Sequence, residues 1–368
     1  MRAAVCRQFG APLTIEEVTL APPGPGQVQV RLAACAICHS DLLYADGAWG
    51  GLLPAVYGHE AAGVVAAIGE DVTRVKTGAR VVVTLIRSCG ACPACDKGLP
   101  VVCDGTHFSD RASPLTDAAG RPLVQGLNTG AFAEAVTVDA SQVVAVPDDL
   151  PLDRAALLAC GVITGFGAVT NTAGVEPGSV VVVIGTGGVG LNTVQGAVIA
   201  GADSVIAIDI NDEKLATARS FGATHAVNSS TTDAAAEVLA ATAGRGADYV
   251  FITVGAKAAF DAAYGMMSSG GAAVLVGMPP DGVMSEIEPG LLAARNQRIL
   301  GSKMGMSRID VDIPHLVALY RDGALKLDEL ITGRYRLDEI NEAIADARNG
   351  AALRNVIIFD DPATTAAE

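Results

Sequence analysis

Residues Ser179–Ile210 read SVVVVIGTGGVGLNTVQGAVIAGADSVIAIDI. Ser179–Ile184 is a β-branched run with no polar alternation, which predicts a strand buried on both faces. Gly185, Gly187 and Gly190 follow at G-x-G-x-x-G spacing, with Gly188 and Val189 between them. Leu191–Ala200 is mostly apolar and predicts a helix packed on a sheet. Ser204–Ile208 predicts a second strand, and Asp209 ends it about 20 residues after the glycines. Strand, glycine turn, helix and strand with an acid in register predict a dinucleotide site. The glycines let the backbone approach a pyrophosphate at the helix N-terminus, where the dipole favours anions. Asp209 then accepts hydrogen bonds from the adenosine ribose and repels a 2′-phosphate, which favours NAD over NADP. A plain strand-end turn residue is the other reading of Asp209.

Outward from that stretch, Tyr249–Thr253 and Ala272–Val276 predict further strands between helical segments. Residues 162–304 therefore read as a doubly wound parallel sheet. Residues 1–161 read as β-rich: Gln27–Leu32, Gly63–Ala67 and Arg80–Thr84 are short Val-rich runs set between Gly/Pro turns. Residues 305–368 hold predicted helices at Ile313–Arg321 and Leu337–Asn349 and a last strand at Asn355–Phe359. The closing PATTAAE, Pro362–Glu368, reads as a disordered tail. The fold class is α/β, with a β-rich domain and a nucleotide-binding domain.

Composition narrows the function. Of the 368 residues 50% are hydrophobic and 18% charged, enough to bury a sizeable core. A formal net charge of −15 opposes a nucleic-acid or anionic-membrane partner. Ala155–Val175 and Pro177–Ala202 carry no charge, but glycines interrupt both. A Gly-rich loop inside a bilayer would leave backbone groups unpaired, so neither reads as a span. No signal-peptide pattern opens the chain, and a cytoplasmic protein is expected.

Four of eight cysteines, Cys89, Cys92, Cys95 and Cys103, fall within SCGACPACDKGLPVVC, Ser88–Cys103. Closely spaced pairs without an export signal disfavour disulfides. A bacterial iron–sulfur run closes with C-x3-C-P, whereas here the fourth cysteine comes after seven residues and no proline follows it. Four thiolates satisfy a closed tetrahedral zinc site, so the spacing favours a structural staple.

A second constellation is scattered: CHSD at Cys38–Asp41, GHE at Gly58–Glu60, and Cys160 in LLACGVITG. Alone, Cys160 reads as core. Together, two thiolates and an imidazole are three protein ligands that leave zinc an open fourth position. With the lobe cysteines and GTGGVG, the chain resembles the zinc-containing medium-chain alcohol dehydrogenases over nearly its whole length. That resemblance implies a GroES-like catalytic domain, a Rossmann coenzyme domain, and a tail from 305 returning to the first domain, with the active site in the cleft between the domains. It implies Cys38, His59 and Cys160 as catalytic zinc ligands, with Glu60 able to approach the metal. It implies Asp41 on the second ring nitrogen of His59, and Ser40 holding the substrate hydroxyl and starting the proton relay. His39 and Arg354 are implied at the pyrophosphate, Lys214 beside the adenosine ribose, and Thr164 and Val189 at the nicotinamide. Many family members finish the relay with a histidine five residues after the first ligand; here that position is Leu43.

The expected reaction is hydride transfer between a primary or secondary alcohol and NAD, with two zinc ions per chain, one catalytic and one structural. Trp49, Leu85, Phe108 and Met278 match the family's substrate wall and favour an alcohol with an apolar body. Glutathione-linked formaldehyde dehydrogenases carry an acid in place of Trp49 and an arginine in place of His107, which disfavours that activity. Lys303 leaves open a more polar or anionic substrate. A zinc-free quinone or enone reductase would lack the three ligands, and a non-enzymatic metal protein would have no use for the nucleotide turn. The long Asp104–Thr129 segment favours a homodimer.

Overall fold

The computed structural model describes residues 1–350 and 352–359. The expected tail Pro362–Glu368 lies outside the described residues. Chain contacts divide the protein into two units. Unit 1 holds Met1–Cys160, Arg308–Tyr320 and the chain from Leu327 onward, and unit 2 holds Gly161–Ser307 and Arg321–Lys326.

In unit 1 the strands are β1 (Arg2–Cys6), β2 (Thr14–Leu20), β3 (Gln27–Ala36), β4 (Ala55–Val56), β5 (Glu60–Ile68), β6 (Arg80–Val83), β7 (Leu115–Asp117), β8 (Val124–Gln125), β9 (Ala135–Asp139) and β10 (Val143–Ala145). Unit 2 contributes β11 (Val180–Ile184), β12 (Ser204–Asp209), β13 (His225–Asn228), β14 (Ala247–Ile252), β15 (Met267–Leu275) and β16 (Arg298–Gly301). The chain then returns to unit 1 for β17 (Ile331–Arg336) and β18 (Arg354–Ile358).

Unit 1 is built on two sheets. One runs β7-β2-β1-β4-β8, the other β10-β6-β5-β3-β18-β17, with β9 also paired to β3. β3 runs to Ala36, beyond the Val-rich run that announces it, because its second half pairs with β5 and with β18. The core between these elements includes Val30, Leu32, Val65, Val81, Phe132 and Ile357.

In unit 2 all six strands are parallel, in the order β13-β12-β11-β14-β15-β16. Counted within the unit this is 3-2-1-4-5-6, the doubly wound order that puts a crevice at the carboxyl ends of its first and fourth strands. All five residues of β11 are buried, as a strand covered on both faces requires. Val182, Ile184, Ile206, Ile208, Val250 and Ile252 form its core. Full burial of such a side chain is worth roughly 1.5–3 kcal/mol.

Six residues of the tail, Arg321–Lys326, belong to unit 2. Lys326 explains this: its backbone N–H donates to Gln195 Oε1 (2.7 Å), and its carbonyl accepts from Gln195 Nε2 (3.2 Å). Its ammonium donates to the Ser220 carbonyl and lies 5.6 Å from the centre of the Phe221 ring. No helix among the described residues is long and apolar enough to cross a membrane. The two uncharged stretches are divided among short helices, β11 and the helix Gly188–Ile199.

Candidate active site

Cys38 caps the helix His39–Ala45 from an extended backbone. Asp41, in the first turn, folds back so that its Oδ2 accepts from the Cys38 N–H at 3.0 Å. Its Oδ1 accepts from the Gly58 N–H at 2.9 Å and faces His59 Nδ1 at 3.0 Å. Gly58 has a φ of +92°, and an added Cβ would lie 2.6 Å from the Phe132 backbone nitrogen, so the turn before His59 requires glycine. One buried carboxylate thus fixes the first cysteine, the turn and the histidine ring.

His59 and Glu60 are fully buried where β5 begins, and Cys160, 6% exposed, closes unit 1 just before the helix Gly161–Gly167. Cys38 Sγ, a His59 ring nitrogen, a Glu60 oxygen and Cys160 Sγ all lie within 4.8 Å of one another. His59 Nε2 is buried with no hydrogen-bond partner, and so are both Glu60 oxygens. A buried imidazole nitrogen without a partner is costly, and a metal ion is the partner this donor set suits.

Electrostatics agree with the geometry. The bond to Cys160 is the main force holding the Cys38 thiol well below its usual range; burial opposes it, and His59 and Arg354 add to it. Cys160 is pushed well up by its bond to Cys38 and by burial. Burial pushes the His59 imidazole down, but Asp41 and Cys38 together outweigh it and raise it. Burial pushes the Glu60 carboxyl up to about 8 against the pull of Arg354.

Arg354 is the residue whose surroundings the sequence does not foreshadow. The resemblance gives it to a pyrophosphate. In the structure it is 7% exposed, with Nη1 3.4 Å from Glu60 Oε1 and 3.3 Å from the Ile37 carbonyl. Nη2 has no hydrogen-bond partner. Position 354 begins β18, and only the β18–β3 pairing brings it to Ile37 and Glu60. His39 is exposed at the first turn of its helix and Ser40 is half-buried beside it.

The nucleotide elements gather in unit 2 at the end of β11. Gly187 caps the helix Gly188–Ile199. A Cβ on Gly190 would lie 1.9 Å from the Gly185 carbonyl, whereas one on Gly187 would meet no protein atom within 4 Å. Gly190 is therefore glycine for the turn, while the space at Gly187 suits a close-approaching ligand such as a pyrophosphate. Asp209 Oδ2 accepts from the Thr186 N–H (2.7 Å) and hydroxyl (3.0 Å). Its Oδ1 accepts from the backbone N–H groups of Ile210 (2.8 Å) and Asn211 (3.2 Å). Lys214 lies in the first turn of the next helix, its N–H bonded to the Asn211 cap. The helix carrying Thr164 packs on the helix carrying Val189. The Thr164 hydroxyl donates to Met304 Sδ at 3.6 Å, a contact with no signal in the sequence.

The cysteine lobe also assembles. The sulfurs of Cys89, Cys92, Cys95 and Cys103 lie within 4.8 Å of one another. Cys103 Sγ accepts from the backbone N–H groups of Cys89 (3.3 Å) and Gly105 (3.4 Å). Of the residues assigned to a substrate wall, Trp49 stands edge-on to Tyr44 with ring centres 5.2 Å apart. Phe108 packs against Gly24, with the Arg111 guanidinium 5.3 Å from its ring centre.

Comparison with known proteins bears on both units. The family model described as an alcohol dehydrogenase GroES-like domain matches residues 24–148, and that described as a zinc-binding dehydrogenase matches residues 188–320. The chain is 39% identical over 367 residues to the NDMA-dependent alcohol dehydrogenase of Amycolatopsis methanolica, covering 97% of this chain and 98% of that one. Its fold matches that of an alcohol dehydrogenase zinc-binding domain protein from Burkholderia ambifaria, with a TM-score of 0.93, 36% identity, and 98% and 99% of the two chains covered. It also matches the benzyl alcohol dehydrogenase of Acinetobacter calcoaceticus, with a TM-score of 0.91, 32% identity and the same coverage.

Proposed function

The chain belongs to the zinc-containing medium-chain alcohol dehydrogenases, and from that premise we propose that NAD is its hydride acceptor and that Cys38, His59 and Cys160 hold the catalytic zinc. Unit 1 has the GroES-like fold and unit 2 the Rossmann fold of that family. The observation that carries the reading is the buried set of two thiols, one imidazole and one carboxylate, with His59 Nε2 left without a partner.

When bound, zinc supplies Lewis acidity toward the alcohol oxygen, and NAD supplies the carbon that accepts hydride. The protein's own groups do the rest. Asp41 holds His59 by Nδ1, so that Nε2 is the ligand atom. Ser40, half-buried on the first turn after Cys38, holds the substrate hydroxyl and receives its proton. Leu43 has no proton-carrying group, so the side chain at that position cannot take the proton from Ser40. Arg354 stands 3.4 Å from Glu60 beside the cluster.

Four protein donors already occupy the Asp209 carboxylate. Its preference for NAD therefore rests on negative charge aimed at a 2′-phosphate more than on new hydrogen bonds. The test is kcat/KM with NAD and with NADP over a panel of alcohols. We expect NAD to be favoured at least tenfold, about 1.4 kcal/mol; equal efficiency would remove Asp209 from the ribose. The Amycolatopsis relative's name supports a second reading, in which turnover depends on NDMA. Sustained turnover with NAD alone decides against it, and turnover that begins only when NDMA is added decides for it.

We also infer a homodimeric cytoplasmic enzyme. Supporting the dimer, β16 lies at the edge of its sheet and follows a segment in which Met284, Ile287 and Leu291 are exposed. Sedimentation of the purified protein tests it.

A further inference from the structure

We propose that the buried amides of Asn192 and Gln195 position the dinucleotide turn, bracing it against the tail segment Arg321–Lys326. The proposal rests on the reading of Gly185–Gly190 as the NAD site and adds to it two residues that lie behind the turn.

The helix Gly188–Ile199 opens on Gly188, Val189 and Gly190. The glycines give a pyrophosphate its approach, but each weakens the helical turn to which it belongs. The N–H groups suited to hold phosphates therefore stand on the least stable turn of the helix. Polar side chains are buried just behind it: Asn192 and Thr193 fully, and Gln195 with 3% exposed. At that depth a polar group is costly unless it is paired.

Their pairing runs back to the turn. Asn192 Nδ2 donates to the Gly188 carbonyl at 2.7 Å, and the Thr193 hydroxyl to the Val189 carbonyl at 3.1 Å. Each ties a side chain of the second turn to a carbonyl of the first. Asn192 Oδ1 accepts from Gln195 Nε2 at 3.1 Å. That amide nitrogen also donates to the Lys326 carbonyl, while Gln195 Oε1 accepts from the Lys326 N–H. Gln195 thus grips the Lys326 backbone as one peptide group grips another, and Asn192 carries that anchorage to Gly188. Lys326 is held in turn by its ammonium's bond to the Ser220 carbonyl, at the end of the helix Asp212–Ser220.

The nicotinamide side rests on the same strut. A Cβ added to Gly165, the residue after Thr164, would lie 2.3 Å from the Val189 carbonyl and 2.9 Å from Asn192 Cβ. A shift of Asn192 therefore reaches the helix Gly161–Gly167 as well as Gly188. All these residues belong to unit 2.

The experiment measures dissociation constants of the zinc-loaded full chain for NAD, ADP-ribose and adenosine, with kcat, KM for NAD and melting temperature. Gln195→Met and Asn192→Leu keep the side-chain shape and remove the amides. We expect each to weaken NAD and ADP-ribose about 3–10-fold while adenosine, which has no phosphate, changes less than about twofold. KM for NAD should rise by a larger factor than kcat falls. Because the amides act in series, the double variant should bind NAD about as weakly as the worse single one. Val238→Ala, a cavity in the core of the same unit, should lower melting without weakening NAD. Wild-type affinity in both amide variants would confine them to the core and overturn the proposal. So would losses that multiply in the double variant, an equal loss for adenosine, or an equal loss in Val238→Ala. If neither amide variant folds, Asn192→Ala decides by the same comparison of ADP-ribose with adenosine. A wild-type chain that binds neither NAD nor ADP-ribose would instead defeat the dinucleotide reading, and the strut with it.

Discussion

Cys160 separates a metal ligand from an ordinary core cysteine. It is 6% exposed, as core would be, yet it stands with Cys38, His59 and Glu60 in one cluster of donor atoms. Cys160→Ser is expected to lose one zinc per chain and more than 99% of turnover while keeping its fold; metal analysis, circular dichroism and a rate assay check this. Full activity with unchanged zinc would return Cys160 to the core. The residues that the fold brings together at the two clusters are legible where CHSD, GHE and the cysteine run are local words, each short enough to read without the fold. Arg354 against Glu60 is not, because that pair depends on strand pairing between distant parts of the chain and leaves no periodic trace. The same holds for Asp139, whose bond to His107 crosses from a strand end to the loop after the lobe.

Elements are most legible where one period runs unbroken. β11 and β12 follow their Val/Ile runs nearly residue for residue. The helix Ile309–Arg321 begins a turn before its apolar pattern, because Pro314 looks like a start signal but sits inside it. The helix Ala234–Ala241 runs out through Ala243, which is exposed at a φ of +51°. A left-handed alanine costs about 1–2 kcal/mol, and glycine's greater freedom when unfolded returns about 0.4–1 of that. Ala243→Gly should therefore raise stability by roughly 0.5–1 kcal/mol, measured by urea unfolding. At the other end of the chain, Tyr335 on β17 donates to Asp346 Oδ2 at 2.5 Å, tying the strand to the helix Ile340–Arg348. The bond to Asp346, then burial, then the charges of Asp346, Glu342 and Glu339 push the phenol up to about 12. Its unfolded value is about 10, so the stability it contributes is full below pH 10 and is lost as pH rises through 12. Tyr335→Phe should flatten the fall in stability between those values, and an unchanged alkaline slope would show that the bond contributes nothing in solution.

Across the whole molecule, the two units draw on metal and core differently. The lobe's four cysteines are only partly buried and offer little apolar packing, so an ion bound there would supply what a core supplies elsewhere. Cys103→Ser should lose one zinc and lower the melting temperature by about 5 °C or more, while molecules that remain folded keep the other zinc and near-normal turnover. Calorimetry with metal analysis checks it. Unchanged melting without turnover would put the lobe in the chemistry. The two-unit division could be sketched from the sequence, but the excursion Arg321–Lys326 could not, since one glutamine amide and one lysine decide it. The seven-stranded sheet carries a further consequence, in the order of synthesis. β18 lies between β3 and β17, and Arg354 bonds the carbonyl of Ile37, 317 residues earlier. At ribosomal speeds that separation is an interval on the order of 15–60 s. Through it the Ala34–Ala36 end of β3 lacks its β18 partner, while β9 already covers the Gln27–Arg31 end of that edge and most of unit 2 emerges as one continuous stretch and can close first. The first half of the chain to leave the ribosome is thus the last to be finished, and a nascent-chain chaperone that shields an open strand edge should associate with it throughout that wait.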